Sequence, residues 1–148
     1  MPARELPPPD PSAWDAFDQL ATMVAVVTPD GQCLFVNAVL ESVIGLSRRT
    51  LNTRTLLEWF REPAALMDAI AAVAGNEFST RRFEGSLRRA VVGHAEPLPV
   101  HVIVSQTEHT HTRLLVEMIE IEQQTRLDRE ERAMGQAEVT KELIRNLA

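Results

Sequence analysis

The sequence is poor in cysteine, since Cys33 is the single cysteine among its 148 residues. One thiol cannot form an internal disulfide, and it cannot supply a cysteine-based metal cluster. The chain also lacks any run approaching the roughly 18 consecutive apolar residues that a membrane-spanning helix requires. Its first residues have no apolar signal-peptide core. These absences predict a protein of a reducing, cytoplasmic compartment that makes no contact with a membrane.

Positive charge is also scarce. The 15 Lys and Arg residues face 21 Asp and Glu residues, which gives a formal net charge of −6. Nucleic acids and anionic membranes generally bind a basic face, so this balance argues against either as a partner. The length suffices for one domain of about 100 residues and an appendage.

The motifs of catalysis are missing as well. There is no Gly-rich phosphate loop after a strand, no Gly-x-Ser-x-Gly setting and no cysteine beside an obvious base. His109 and His111 stand two residues apart, a spacing that would place both on one side of a strand and could hold a metal. The segment has the character of a polar hairpin loop without a third ligand, which favours solvated histidines. His94 and His101 stand alone and are assigned no role.

The stretch from Met23 to Leu46 is the centre of the predicted organisation. A short β-branched run is followed by a turn in which Asp30 and Gly31 close a hairpin, because glycine supplies the positive φ. The return strand is apolar on both faces, as expected inside a sheet. Asn37 is then placed to cap a helix that ends at Gly45.

The residues before this hairpin fall into two parts. Proline-rich residues 1–11 predict a disordered lead that buries too little apolar surface to become ordered. Ser12 begins a predicted helix, in which Trp14, Phe17 and Leu20 form one apolar stripe. Two interpretations of the stripe remain open: it packs on the domain's own sheet, or it contacts a second copy of the chain.

The residues after the hairpin predict short helices and then strands. The helices are expected at Ser47–Leu51, Thr55–Phe60 and Pro63–Gly75. A polar strand or hairpin follows from Glu77, and alternating patterns predict antiparallel strands at Leu98–Thr107 and Arg113–Glu120. Asn52, between the first two helices, tolerates left-handed φ. The pattern gives five strands, two before the helices and three after them.

Residues 121–148 contain no proline and alternate blocks of Arg and Glu, which predicts a helix that leaves the domain. A helix with so few apolar positions is hardly stable alone in water. We therefore expect it to pair with the same helix of a second copy in a parallel coiled coil. The candidate dimer contacts on this helix are Leu127, Met134, Leu143 and Leu147. Gly135 is expected to lower the stability of this helix locally.

The order strand, Asp-Gly turn, strand, Asn and helix resembles the opening of a PAS domain. The resemblance implies an α+β fold over residues 12–120, in which a five-stranded antiparallel sheet carries short helices across one face. A C-terminal coiled-coil signalling helix over 121–148 would complete the chain. PAS cores sometimes enclose a ligand, and the corresponding cavity here would be lined by Phe35, Leu66, Ile70 and Val102.

Two cofactors of the PAS family are not expected. Light-responsive flavin-binding relatives carry a reactive cysteine in an Asn-Cys-Arg motif on a helix, whereas Cys33 lies in an apolar strand. Haem-binding relatives usually offer a histidine from the long helix, and residues 63–75 contain none. The cavity is therefore expected to be filled by its own side chains, with a small ligand as the other interpretation.

The last residues, Glu-Leu-Ile-Arg-Asn-Leu-Ala at 142–148, resemble the run immediately before the phosphorylated histidine of sensor histidine kinases. They are especially similar to the nitrogen-regulation family, NtrB. The likeness extends over roughly Asp15 to Ala148, through the Val-Val-Thr-Pro-Asp-Gly turn and the Leu-Leu-Val-Glu-Met strand, and its final stretch is the sharpest part.

The kinase resemblance implies a cytoplasmic homodimer that phosphorylates its own histidine from ATP and Mg²⁺, passes phosphate to the response regulator NtrC and answers to the signal protein PII. This chain contains neither that histidine nor an ATP domain, so no catalysis is expected from it alone. Two other interpretations remain open: a PAS sensor of a small ligand, and a PAS interaction module of a transcriptional regulator.

Overall fold

The computed structural model describes residues 11–90, 96–107 and 110–121. Its helical elements are a 3₁₀ helix at Pro11–Gln19, α1 at Ala38–Ile44, α2 at Arg48–Leu51, a second 3₁₀ helix at Leu56–Trp59 and α3 at Ala64–Ala74. Its strands are β1 at Met23–Val27, β2 at Cys33–Val36, β3 at Thr80–Leu87, β4 at Leu98–Thr107 and β5 at Thr110–Glu120. Two strands precede the helices α1–α3 and three follow them, as the sequence predicts.

The five strands form one sheet in the order β2-β1-β5-β4-β3. Each neighbouring pair is antiparallel, which confirms the predicted sheet. Strand β5 lies in the middle of the sheet, and the chain begins a helical conformation at Ile121 immediately after it. Residues 1–10 of the predicted lead over 1–11 lie outside the described residues, and Pro11 already belongs to the 3₁₀ helix. Residues 122–148 of the predicted signalling helix over 121–148 also lie outside them. The candidate dimer contacts Leu127, Met134, Leu143 and Leu147 lie outside them as well.

The sheet has two different faces. Directly paired residues of antiparallel strands point to the same face, and successive residues alternate. The helix face carries the main core, in which Ala25, Val116 and Val104 lie side by side beneath residues from α1, α2 and α3. We call the other side the open face. On the open face, Val24 and Val26 of β1 are also fully buried.

The predicted hairpin turn is present, and its glycine is required. Gly31 has a φ of 85°, and its N–H donates to the Thr28 carbonyl at 2.8 Å. A Cβ at this position would lie 3.1 Å from Cγ of Leu57. Asp30 is exposed at the tip. The turn therefore depends on both the backbone freedom and the small size of Gly31.

The helix boundaries follow their predicted signals closely. Asn37 caps α1, and Gly45 ends it with a φ of 86°. Pro63 precedes α3, whose buried side comprises Leu66, Ala69, Ile70 and Val73. Asn52 ends α2 with a φ of −69°, so this turn closes without the left-handed conformation that asparagine tolerates.

The structure resolves the form of β3, and it differs from the sequence prediction at the start of β5. The polar region after Glu77 forms a single edge strand, β3, because it pairs along its whole length with β4. Strand β5 begins at Thr110 instead of Arg113, because a register shift at Gln106 and Thr107 brings Thr107 opposite Thr110. The sequence alone predicts a polar loop there, since the outer residues of β5 are not apolar.

Candidate functional site

Asn37 joins three elements at the start of β1. It is fully buried, and its Oδ1 accepts hydrogen bonds from the backbone N–H groups of Val24 at 3.0 Å and Leu40 at 3.1 Å. Its Nδ2 donates to the carbonyl oxygens of Phe17 at 3.0 Å and Thr22 at 2.8 Å. One amide thus satisfies the helix cap and also ties the N-terminal 3₁₀ helix to the sheet.

Asp18 and Arg48 form a second connection. Oδ1 of Asp18 accepts from the backbone N–H of Ala38 at 2.9 Å, and its carboxylate receives two bonds from the Arg48 guanidinium at 2.9 and 3.2 Å. The Arg48 guanidinium carbon also lies 5.2 Å from the ring centroid of Phe35. A bidentate pair of this kind fixes orientation as well as distance.

Aromatic rings complete this contact. The rings of Trp14 and Phe17 lie 5.9 and 6.2 Å from that of Phe35, centroid to centroid. Two of the three stripe residues therefore pack on their own sheet, the first of the two interpretations left open, whereas Leu20 is 42% exposed. We call Trp14, Phe17, Asp18, Phe35, Asn37 and Arg48 the docking cluster.

Phe35 corrects one sequence prediction. It pairs with Val26, whose neighbours Ala25 and Val27 belong to the helix-face core, so Phe35 points to the open face. It therefore cannot line an internal cavity together with Val102. Asp18 and Arg48 were missed by sequence reasoning, because a single acidic and a single basic residue 30 positions apart carry no local signal.

Breaking the Asp18–Arg48 pair is expected to loosen the docking cluster. In a double-mutant cycle with Asp18→Ala and Arg48→Ala, we expect a coupling free energy of about 1 kcal/mol, because the pair is bidentate and about one third exposed. Urea denaturation followed by circular dichroism measures it. The exposed pair Arg54 and Glu58, at 3.8 Å, is the matched control. Equal coupling in both cycles would contradict a fixed docking contact.

The other three predicted cavity residues meet in the helix-face core. Leu66, Ile70 and Val102 are 0%, 2% and 0% exposed and belong to one cluster. Cys33 lies in the same cluster. Burial raises the pKa of its thiol from 9.0 to about 12, and the Glu58 carboxylate adds to the shift. The thiol therefore stays protonated and unreactive at neutral pH.

This raised pKa predicts an alkaline loss of stability. Above pH 9 the unfolded thiol releases its proton while the folded thiol keeps it, so the unfolded state binds fewer protons and stability falls as pH rises. Between pH 8 and pH 10 the expected loss is on the order of 1 kcal/mol. Urea denaturation at both pH values measures it, with Cys33→Ala as the control that removes this part of the slope. An identical slope in the variant would refute the assignment.

A surface groove of about 320 Å³ lies beside the end of β5 and is lined by Ile121, by Pro99 of β4, by Glu84 of β3 and by Arg61. Strand β1 pairs with one side of β5 and β4 with the other. Strand β5 is therefore hydrogen-bonded along both of its edges.

The histidines form no metal site within the described residues, where no group of three or more His, Cys, Asp or Glu could hold a metal ion. His101 is half-buried and pairs with Glu84 and Ile119 on the open face. His94 and His109 lie outside the described residues. No helix in the described part of the chain is long and apolar enough to cross a membrane.

Comparison with known proteins identifies the family. Residues 17–132 match the family described as PAS fold, and the chain belongs to this family. No curated protein sequence matches the chain significantly. The strand order, the short helices over one face and the Asn-capped first helix are thus features of a PAS domain.

Solved structures share the fold at low sequence identity. A domain of a sensory box sensor histidine kinase/response regulator from Geobacter sulfurreducens is 18% identical with a TM-score of 0.58, over 74% of this chain and 92% of that one. The PAS domain of a LuxR-family transcriptional regulator from Burkholderia thailandensis, in complex with ethanol, is 12% identical with a TM-score of 0.58, over 77% and 99%. The RpfR quorum-sensing receptor PAS domain from Cronobacter turicensis, in complex with BDSF, is 13% identical with a TM-score of 0.58, over 69% and 95%.

Proposed function

We propose that this chain is the sensory and dimerisation PAS segment of a cytoplasmic two-component histidine kinase of the nitrogen-regulation, NtrB-like type. The observation that supports it best is that the central strand β5 is followed directly by Ile121 in a helical conformation. The second support is the kinase-like run Leu143–Ala148 at the end of the same segment. In this proposal the PAS domain relays an input to a kinase core that phosphorylates the response regulator NtrC.

The relay acts through a homodimer. The outgoing helices pair along Leu127, Met134, Leu143 and Leu147, and the PAS domains set their register and crossing angle. Such a helix pair is a bistable element, and an input that prefers one arrangement shifts its population. The docking cluster holds the N-terminal 3₁₀ helix against β2, whose neighbour β1 pairs with β5, so in this proposal both flanks of the domain act on β5.

The chain alone performs no catalysis in this proposal. ATP and Mg²⁺ bind to the kinase portion, PII acts mainly on that portion, and the PAS domain holds no cofactor. Incubation with radiolabelled ATP and Mg²⁺ is expected to leave the chain unlabelled. Phosphate incorporation would overturn this part of the proposal.

Dimerisation is tested by sedimentation velocity at tens of micromolar chain. We expect a dimer for the wild type and weaker self-association for the double variant Leu143→Asp and Leu147→Asp, because charges at the seam oppose pairing. Met67→Asp, at an exposed position of α3, is the control and is expected to remain a dimer. A monomeric wild type would overturn the proposal that the signal is relayed through a homodimer.

The kinase assignment is tested by the coding sequence beyond the codon for Ala148. A continuation of the His-Glu-x-x-Asn-Pro type would support it. A different continuation, such as an ATPase or DNA-binding domain, would favour the module of a transcriptional regulator instead.

A small-ligand sensor is the second candidate. It is favoured by the two PAS structures that are described with ethanol and with BDSF, and by an apolar helix-face core of the kind in which a small ligand could lie. Native mass spectrometry of freshly purified chain distinguishes the two: an additional mass that dissociates on unfolding would support the ligand sensor.

A further inference from the structure

Among the described residues, part of the backbone of β3 has no hydrogen-bond partner. It is the last strand of the sheet, and its residues pair on one side with β4. In an antiparallel ladder the N–H and C=O of one residue point to the same side, and successive residues alternate. The backbone N–H and C=O groups of every second residue of β3 therefore point away from β4.

Two hydrogen bonds identify these residues. Ser79, one position before β3, accepts from the N–H of Gln106, so the odd-numbered positions face β4. Ser86 accepts from the N–H of Arg61 on the opposite side, so the even-numbered positions face outward. The backbone groups of Thr80, Arg82 and Glu84 thus lie along the free edge. Residues 80, 81, 82 and 84 are exposed.

Exposed edge strands attract other strands, and charged side chains usually oppose this. Here the charges complement each other. The sequence Arg82-Phe83-Glu84 is self-complementary when it pairs antiparallel with a second copy about Phe83, because each arginine then lies opposite a glutamate. Neither Arg82 nor Glu84 has an ion pair with another described residue.

We propose that β3 pairs edge to edge with β3 of a second copy of this chain, with Arg82 opposite the partner's Glu84 on both sides of a twofold axis through Phe83. Arg82 and Glu84 exchange backbone hydrogen bonds with the partner in this register, and the two Phe83 rings meet on the helix face. Centring the pair on Arg82 or on Glu84 instead would place like charges opposite each other, which is destabilising. The bridge between Phe60 and Leu87 ends the free edge and limits the pairing to this short segment.

The contact goes beyond the helix pairing proposed above and does not depend on it. It predicts a specific disulfide. In the proposed register the Phe83 Cα atoms are a non-hydrogen-bonded pair about 4.5 Å apart, within the range that a disulfide spans. Two Thr80 residues would lie about 20 Å apart, since six strand residues separate them. Cys33 is buried and 3% exposed, so it does not compete.

The test compares the full chain carrying Phe83→Cys with the full chain carrying Thr80→Cys under mild oxidation. We expect Phe83→Cys to form a disulfide-linked dimer about ten times faster, because only it meets its own copy. Thr80 is the more exposed residue, so random collision predicts the opposite order. Equal rates, or faster linking of Thr80→Cys, would overturn the proposal.

Charge reversal provides the second measurement and keeps Phe83 intact. Arg82→Glu or Glu84→Arg alone is expected to weaken self-association about tenfold, because the twofold axis changes two pairs at once. The double variant R82E/E84R restores both pairs and is expected to return association to the wild-type level. Sedimentation velocity over a concentration series measures this, and a double variant no better than either single variant would refute the register.

Discussion

Replacing Asn37 with alanine is expected to lower the free energy of unfolding by about 3 to 5 kcal/mol, the largest effect of any polar substitution in the domain. The change removes a fully buried amide and leaves the N–H groups of Val24 and Leu40 without their acceptor. It also removes the donor to the carbonyls of Phe17 and Thr22. The cap alone would account for about 1 kcal/mol of this loss. Urea denaturation monitored by circular dichroism measures the whole.

Two variants separate the amide's roles. Asn52→Ala makes the same chemical change at an asparagine whose buried Oδ1 has no hydrogen-bond partner, so we expect a change within about 1 kcal/mol. Asn37→Asp keeps the acceptor for Val24 and Leu40 but places a carboxylate beside two carbonyl oxygens, which it cannot satisfy as a donor. It should detach the N-terminal helix. If Asn37→Ala cost no more than Asn52→Ala, the four observed bonds would not hold the flank in place.

The hairpin and first helix were predictable because their signals are local. Gly31 is needed by its own backbone conformation, and Asn37 caps a helix that begins at the next residue. The alternation in β4 and β5 was equally clear, since one face of each strand is buried and the other is partly exposed. These predictions used only residues within a few positions of one another.

The docking cluster was not predictable, because it depends on contacts between distant residues. Arg48 and Asp18 meet only after α2 and the N-terminal helix have packed. The sequence also does not indicate on which face of the sheet the Phe35 side chain lies. Strand β2 is apolar at every position, so alternation cannot distinguish its two faces, and the register with Val26 decides the matter.

Asn37 makes both local contacts, within the cap of α1, and contacts with residues distant in the sequence. The residue it holds on the sheet side, Val24, pairs with Glu117 of β5, three residues before the strand ends at Glu120. The N–H of Asn37 in turn donates to the Val24 carbonyl, so both backbone groups of Val24 face Asn37, and Val24 and Glu117 are neighbours that exchange no hydrogen bond. Asn37 therefore links the N-terminal helix and the cap of α1 to β1, the strand that pairs with β5.

Replacing Leu66 with alanine is expected to lower the free energy of unfolding by about 3 to 4 kcal/mol, because a fully buried side chain of α3 leaves a cavity beneath the sheet. Met67→Ala, at the next position of the same helix, is the matched control. Met67 is 54% exposed, so its truncation should change stability by no more than about 0.5 kcal/mol. Both are measured by urea denaturation.

The size of the Leu66→Ala effect also distinguishes the two proposed functions. If Ile70, Val102 and Leu66 fill the core, only the variant has space for an apolar probe, and benzene should raise its melting temperature but not that of the wild type. If the wild type already has a ligand cavity beside Leu66, truncation should cost less and benzene should stabilise both proteins. The first outcome would support a core filled by its own side chains, and the second would support a ligand cavity within the core.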